Sequence, residues 1–137
     1  MALTHLVDTS VLKRLSHPSV REVVEPLAEA GVLARAAISD LEVGYSARHE
    51  REWDALLGAL EIFSPIEASN DHFVRAKQVQ RFLAVRSQRG RKIPDLLIAA
   101  VAEAAHLVLL HYDQDFDMIA EITGQPCRWV VAAGTID

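Results

Sequence analysis

The chain reads as an α/β domain: a mostly parallel sheet covered on both faces by helices. Two observations predict this. Short apolar runs of strand length alternate with helix-length stretches from one end of the chain to the other, which is the pattern of parallel strands joined by crossover helices. The chain has 137 residues, 50% of them hydrophobic, enough for one proper core, so a single domain over residues 1–137 is expected.

Taken in order, Leu3 to Val7 is a short apolar run that ends on Asp8-Thr9-Ser10, residues that turn a chain and cap a helix. Val11, Leu12 and Leu15 line one face of a short helix, closed by Ser16-His17-Pro18-Ser19. Val23, Val24, Leu27 and Ala30 recur at helical spacing, with Glu22, Glu25 and Glu29 on the outer face and Pro26 as a candidate bend. Gly31 ends that helix, and Val32 to Ala37 forms a second strand running into Ile38-Ser39-Asp40, a cap before Leu41, Glu42, Val43 and Tyr45. Residues 50–60 predict a helix, Ile62-Phe63 a short strand, and Ser69-Asn70-Asp71 the start of a long helix through about Arg86. Pro94 opens a helix over Asp95 to Ala105, Leu107 to Leu110 is an apolar strand, Asp115 to Thr123 is helical, and Arg128 to Ala132 is the last strand.

Composition removes several classes of function. The single Cys127 excludes an internal disulfide framework and a zinc site built on several thiolates, and points to a reducing, cytoplasmic setting. The N-terminal stretch lacks the pattern of a signal peptide, and the longest apolar run, Leu96 to Ala105, is interrupted by Glu103 and too short for a membrane span. The net charge of -5 argues weakly against wholesale coating of nucleic acid but says nothing of local patches. The six histidines show no paired helical spacing for zinc, His111 reading as a strand residue, and Ser10-Val11-Leu12-Lys13 matches a serine acyl-enzyme motif only by its short spacing.

In parallel sheets ligands gather at the carboxyl ends of the strands, so the residues just after each strand carry the argument. Asp8 follows the first strand and Asp113 the strongest later one, while Glu42 and Asp95 stand in the first turns of helices opening at the same edge. Singly, each reads as a helix-start or surface acid. Together, with Asp8, Glu42 and Asp95 embedded in the apolar surroundings HLVDTSVL, SDLEVGY and KIPDLLIAA, they repel one another unless a hard divalent cation, Mg2+ or Mn2+, neutralises them. A basic run adjoins them. Arg75, Lys77, Arg81, Arg86, Arg89, Arg91 and Lys92 are half of the 14 Lys+Arg, with no acid among them. Within that run Arg86, Arg89, Arg91 and Lys92 are the candidate contacts to a nucleic-acid phosphate backbone, the Arg89-Gly90-Arg91-Lys92 stretch reading as a phosphate-gripping loop.

The residues LVDTSVL at 6–12, ISDLEVGYSAR at 38–48, IPDLLIAAVAEAAH at 93–106 and HYDQDFDMIA at 111–120 resemble, in order and spacing, the PIN-domain ribonucleases, and most closely the VapC-type toxins of type II toxin-antitoxin pairs. The resemblance spans essentially the whole chain. It implies a PIN-like (Rossmann-like) α/β/α sandwich and a metal-dependent endoribonuclease that cuts structured RNA, transfer or ribosomal RNA, to arrest translation and growth. It implies that Asp8, Glu42, Asp95 and Asp113 are the catalytic metal-site acids. A further acid follows the fourth in such proteins; Asp117 is favoured here as the auxiliary metal ligand, with Asp115 the alternative or a helix cap. Ser10, or else Thr9, is expected to steady Asp8 or a metal-bound water, its other reading being a helix cap. Mg2+ or Mn2+ would activate water and offset charge at the phosphodiester. A VapB-type antitoxin and a homodimer are implied as partners. Tyr45, Trp53, Leu56 and Leu57 are the dimer candidates, the last two more simply read as core.

Two other readings stand beside this one. A phosphatase with Asp8 as nucleophile wants a second Asp two residues on, where this chain has Ser10. A catalytically idle PIN-like module that only binds RNA or protein has no reason to keep four repelling carboxylates.

Overall fold

The computed structural model describes residues 2–88 and 92–137. Five short strands form one sheet in which every pairing is parallel: β1 (His5–Val7), β2 (Leu33–Ala36), β3 (Ser64–Ile66), β4 (Val108–His111) and β5 (Cys127–Trp129), in the spatial order β3-β2-β1-β4-β5. The expected mostly parallel sheet is thus wholly parallel. Chain order reverses direction at β1, flanked by β2 on one side and β4 on the other, and such a switch point opens a crevice at the strands' carboxyl ends.

Strand alternation builds a core on each face. Leu6, Ala34 and Leu109 point to one side, where α5 (Asn70–Val85), α6 (Ile93–Ala104) and α7 (Asp115–Thr123) cover them with Val79, Leu83, Ile98, Phe116 and Ile119. Val7, Leu33 and Leu110 point to the other, packed by α1 (Thr9–Leu12), α2 (Pro18–Glu29), α3 (Ala37–Tyr45) and α4 (Glu50–Gly58). The three-layer sandwich follows. α6 is buried along nearly its whole length, from Asp95 to Ala102, so its all-round apolar sequence is a central-helix signature.

Several boundaries differ from the sequence expectation. The strand expected at Ile62-Phe63 lies at Ser64–Ile66, because Ala59–Ile62 first turn as a 3-10 helix that drives Phe63 into the core. The last strand is Cys127–Trp129 rather than Arg128 to Ala132, ending where pairing with β4 ends at His111. The helix bearing Glu42 starts at Ala37, directly on β2, and Ile38-Ser39-Asp40 does not cap it. Asp40 is instead drawn 2.7 Å from the Arg35 guanidinium, whose Nη1 also donates to the carbonyls of Leu60 and Phe63. Glu42 therefore sits in the second turn. Pro26 falls inside α2, where it forgoes its own intrahelical bond. Leu56 and Leu57 pack against the core, whereas Tyr45 is 91% exposed.

Candidate functional site

β1 delivers Asp8 to the crevice. The chain leaves the sheet at Val7, and the Asp8 side chain accepts from the Ser10 amide at 2.9 Å, capping α1 itself. Ser10 Oγ donates to the same Asp8 oxygen at 2.6 Å and accepts from the Tyr112 amide at 2.9 Å. Ser10 thus steadies Asp8 and ties it to the end of β4; Asp8, not Ser10, is the cap. Thr9, the alternative hydroxyl, serves a different acid. Its Oγ1 donates to Glu42 Oε1 at 2.7 Å, and since a hydroxyl has one proton, the buried Ser39 hydroxyl 2.8 Å away is left to donate to it. Two neighbouring hydroxyls therefore orient two carboxylates on different elements.

Asp95 stands in the first turn of α6 and Asp113 two residues beyond β4. All four expected acids line one cleft of about 220 Å³, with Lys13, Arg14 and Lys92 on its walls. Carboxylate oxygens of Asp95, Asp113 and Asp115 lie within 4.8 Å of one another, a spacing that suits shared ligation of a cation. Asp8 and Glu42 line the cleft without joining that trio.

Asp117, the favoured auxiliary acid, is turned away: both its oxygens are 3.2 Å from the Trp129 indole nitrogen, and one is 4.0 Å from His111 Nε2. α7 begins at Asp115, so Asp117 sits some 200° further round that helix and faces β5. Asp115 takes the place beside Asp113. It is the first residue of α7 rather than its cap, and its amide donates to Asp113 Oδ1 at 2.9 Å, so Asp113 performs the capping.

The site's electrostatics are costly without a cation. Asp8 is 2% exposed and Asp95 5%. Burial pushes Asp8 up to about 6, opposed by the Ser10 bonds and reinforced by the Glu42 charge. Asp95 is pushed up to about 7, by burial first and then by the charges of Asp8 and Asp113, with Lys92 opposing. Asp8 Oδ1 and Asp95 Oδ2 are buried with no hydrogen-bond partner among the described residues. Buried carboxylate oxygens without donors in an all-oxygen cluster fit a hard divalent cation and little else.

The basic segment divides. Lys92 Nζ is 3.7 Å from Asp113 Oδ2 and lines the cleft. Arg86, at the C-terminal end of α5, faces Glu121 on α7 at 3.7 Å and does not line it. Arg75 is held bidentately by Glu103 at 2.7 and 3.1 Å, a clasp between α5 and α6. Arg89 and Arg91 lie outside the described residues. Sequence reading missed Ser39, Lys13, Arg14 and Tyr112. Only the Ser10-to-Arg14 spacing, one helical turn, hinted that a cation stands near the first acid.

A family model described as PIN domain matches residues 5–122. The chain is 66% identical over 137 residues to Ribonuclease VapC51 of Mycobacterium tuberculosis, covering 100% of both chains. It is 46% identical over 138 residues to Ribonuclease VapC21 of the same species, covering 98% of this chain and 99% of that one. Among solved structures, a DNA-bound VapBC from Salmonella typhimurium superposes with a TM-score of 0.77 at 17% identity, over 94% of this chain and 99% of that one. A toxin-antitoxin complex from Klebsiella pneumoniae superposes at 0.70 with 25% identity, over 93% and 98%.

Proposed function

The chain belongs to the PIN-domain family, and from that membership we infer a VapC-type endoribonuclease, the toxin of a toxin-antitoxin pair, whose catalytic acids are Asp8, Glu42, Asp95 and Asp113. Asp115 joins them as the auxiliary acid in place of Asp117. The observation that carries the reading is the pair of buried, unpartnered oxygens on Asp8 and Asp95 inside a cluster of acids. A module that only binds RNA or protein gains nothing from such carboxylates and loses stability by keeping them.

Asp8, Asp95, Asp113 and Asp115 would hold Mg2+ or Mn2+, with Glu42 lining the same cleft. When bound, a divalent ion activates water and offsets charge on the phosphodiester. The residues of the chain supply order. Ser10 fixes the Asp8 carboxylate, Thr9 fixes Glu42, and the Asp113 cap fixes the turn that presents Asp113 and Asp115 together. With its carboxyl raised to about 7 by burial and the neighbouring acids, Asp95 would bind a cation in competition with a proton. Lys92 brings a positive charge to the rim, where it draws an RNA phosphate toward a site that would otherwise repel it.

The substrate is structured RNA, with transfer or ribosomal RNA as the target class, and its cleavage arrests translation. The protein partner is a cognate VapB-type antitoxin, in keeping with the VapBC complexes that share the fold. A homodimer through α3 and α4 would cover the exposed Leu41, Tyr45 and Trp53. No helix of the described residues is long and apolar enough to cross a membrane, and the one free thiol suits the cytoplasm.

The test is incubation of purified protein, freed of antitoxin, with total RNA in Mg2+, Mn2+ or chelator, beside Asp95→Asn. Discrete fragments that need both the metal and Asp95 are expected, and mapping their ends names the target. Cleavage that survives chelation and the substitution would remove the metal-nuclease reading.

A further inference from the structure

Arg14 is one of three cationic side chains among the described residues that line the acidic cleft, and it is built in rather than left mobile. Its Nη1 donates to the Ser10 carbonyl at 2.7 Å and its Nε to the main-chain oxygen of Asp137 at 2.7 Å. Its guanidinium carbon lies 5.0 Å from the centre of the Tyr112 ring. The Tyr112 hydroxyl in turn donates to the Ile136 carbonyl at 2.6 Å and accepts from the amides of Gly134 and Ile136 at 3.0 and 3.1 Å. Tyr112 therefore anchors the strap of residues 134–137, whose last residue holds one edge of Arg14.

Ser10 makes the arrangement functional as well as structural. Its hydroxyl fixes Asp8, its hydroxyl oxygen receives the Tyr112 amide, and its carbonyl receives Arg14. The cation is thereby set in register with the acid that follows β1 and with the turn carrying Asp113. The two bonds named engage two of the five guanidinium N–H groups, so the fork keeps donors for an anion. An arginine whose planar fork is already oriented loses little entropy on gripping a phosphate. Lys92 stands at Asp113, on the α6 side of the same cleft.

The geometry points to Arg14 as a substrate-binding residue for an RNA phosphate next to the scissile one, so that the backbone crosses the acids between Lys92 and Arg14, with Tyr112 and the 134–137 strap as its positioning device. This role rests on the ribonuclease reading above.

Binding of a fluorescently labelled, single-stranded RNA of mixed sequence to the cleavage-deficient Asp95→Asn protein tests it, with kcat and KM measured in the Asp95 background. Arg14→Ala is expected to weaken binding about tenfold and to flatten the dependence of log affinity on log salt by about 0.7, the loss of one single-strand phosphate contact. KM should rise with kcat nearly unchanged. Tyr112→Phe keeps the charge but frees the strap. It should speed amide exchange at 134–137 and weaken binding by a smaller factor with the salt slope unchanged. Arg51→Ala on α4, outside the cleft lining, controls for net charge and should leave the slope as it is. Arg14→Ala with unaltered affinity, slope and KM would overturn the role of Arg14 while leaving the nuclease intact. A protein that cuts no RNA and whose Asp95→Asn form binds none would overturn the nuclease reading and this role with it.

Discussion

Replacing Asp95 by Asn should stabilise the metal-free protein while abolishing cleavage, and the size of the gain follows from the site. Asp95 ionises at about 7 in the folded chain against 3.8 for an ordinary aspartate. Between those values the folded chain keeps a proton that the unfolded chain has released, so stability falls as pH rises through that window and the penalty is complete above it. At roughly 1.4 kcal/mol per pH step the ceiling is about 4 kcal/mol. Solvent screening in an open cleft discounts this to about 2 kcal/mol. Asn keeps the shape, removes the charge and brings an amide that can donate to the carboxylates around it. Thermal unfolding in EDTA, followed by circular dichroism, should show the variant melting higher by ~8 °C at about pH 8. At about pH 5 the gain should be less than half as large, and it should vanish only below the ordinary value of 3.8, where the unfolded chain keeps its proton too. An equal shift at both pH values, or a variant less stable at the higher one, would refute the argument that charge burial governs this position.

Protons and cations compete for the same oxygens: with Asp8 raised to about 6 and Asp95 to about 7, Mn2+ affinity should climb as pH rises through that range and level off above it. Calorimetry in buffers of different ionisation enthalpy should show protons released on binding at the acid end, and a flat profile would contradict the burial of these acids. Ser10→Ala removes the hydroxyl shared by Asp8 and the Tyr112 amide, so Mn2+ affinity should fall by roughly 10- to 100-fold, with a stability loss of about 1–3 kcal/mol seen in denaturant titration. Asp115→Asn should impair RNA cleavage severely, whereas Asp117→Asn should retain it and chiefly disturb the indole fluorescence of Trp129; the reverse pattern in a cleavage assay would restore Asp117 to the site.

The layers were legible because they depend on local periodicity. Apolar strand-length runs and the uniformly apolar α6 can each be read within a few residues, and the helix from Asp115 to Thr123 falls where its pattern puts it. The shifts at Ser64–Ile66 and Cys127–Trp129 were not legible, since a strand of three residues ends where its neighbour's pairing ends, and the neighbour lies far away in sequence. Ser39 and Asp40 look like cap residues locally. They were claimed by Thr9 and Arg35, partners that only the folded chain supplies.

The same division runs through the site. Four acids, three of them in apolar surroundings and each placed after a strand or early in a helix, and the family blocks around them determined the fold class and the chemistry from sequence alone. Residue type and spacing can do that because a buried carboxylate has few stable uses. Tertiary structure decided which acid turns inward after Asp113, which hydroxyl serves which carboxylate, and that Arg14 is bolted to Ser10 beneath a strap from the far end of the chain. Those choices depend on the direction a side chain takes at a particular rotation of a helix and on contacts spanning more than a hundred residues, as between Tyr112 and Ser10, which no local pattern encodes.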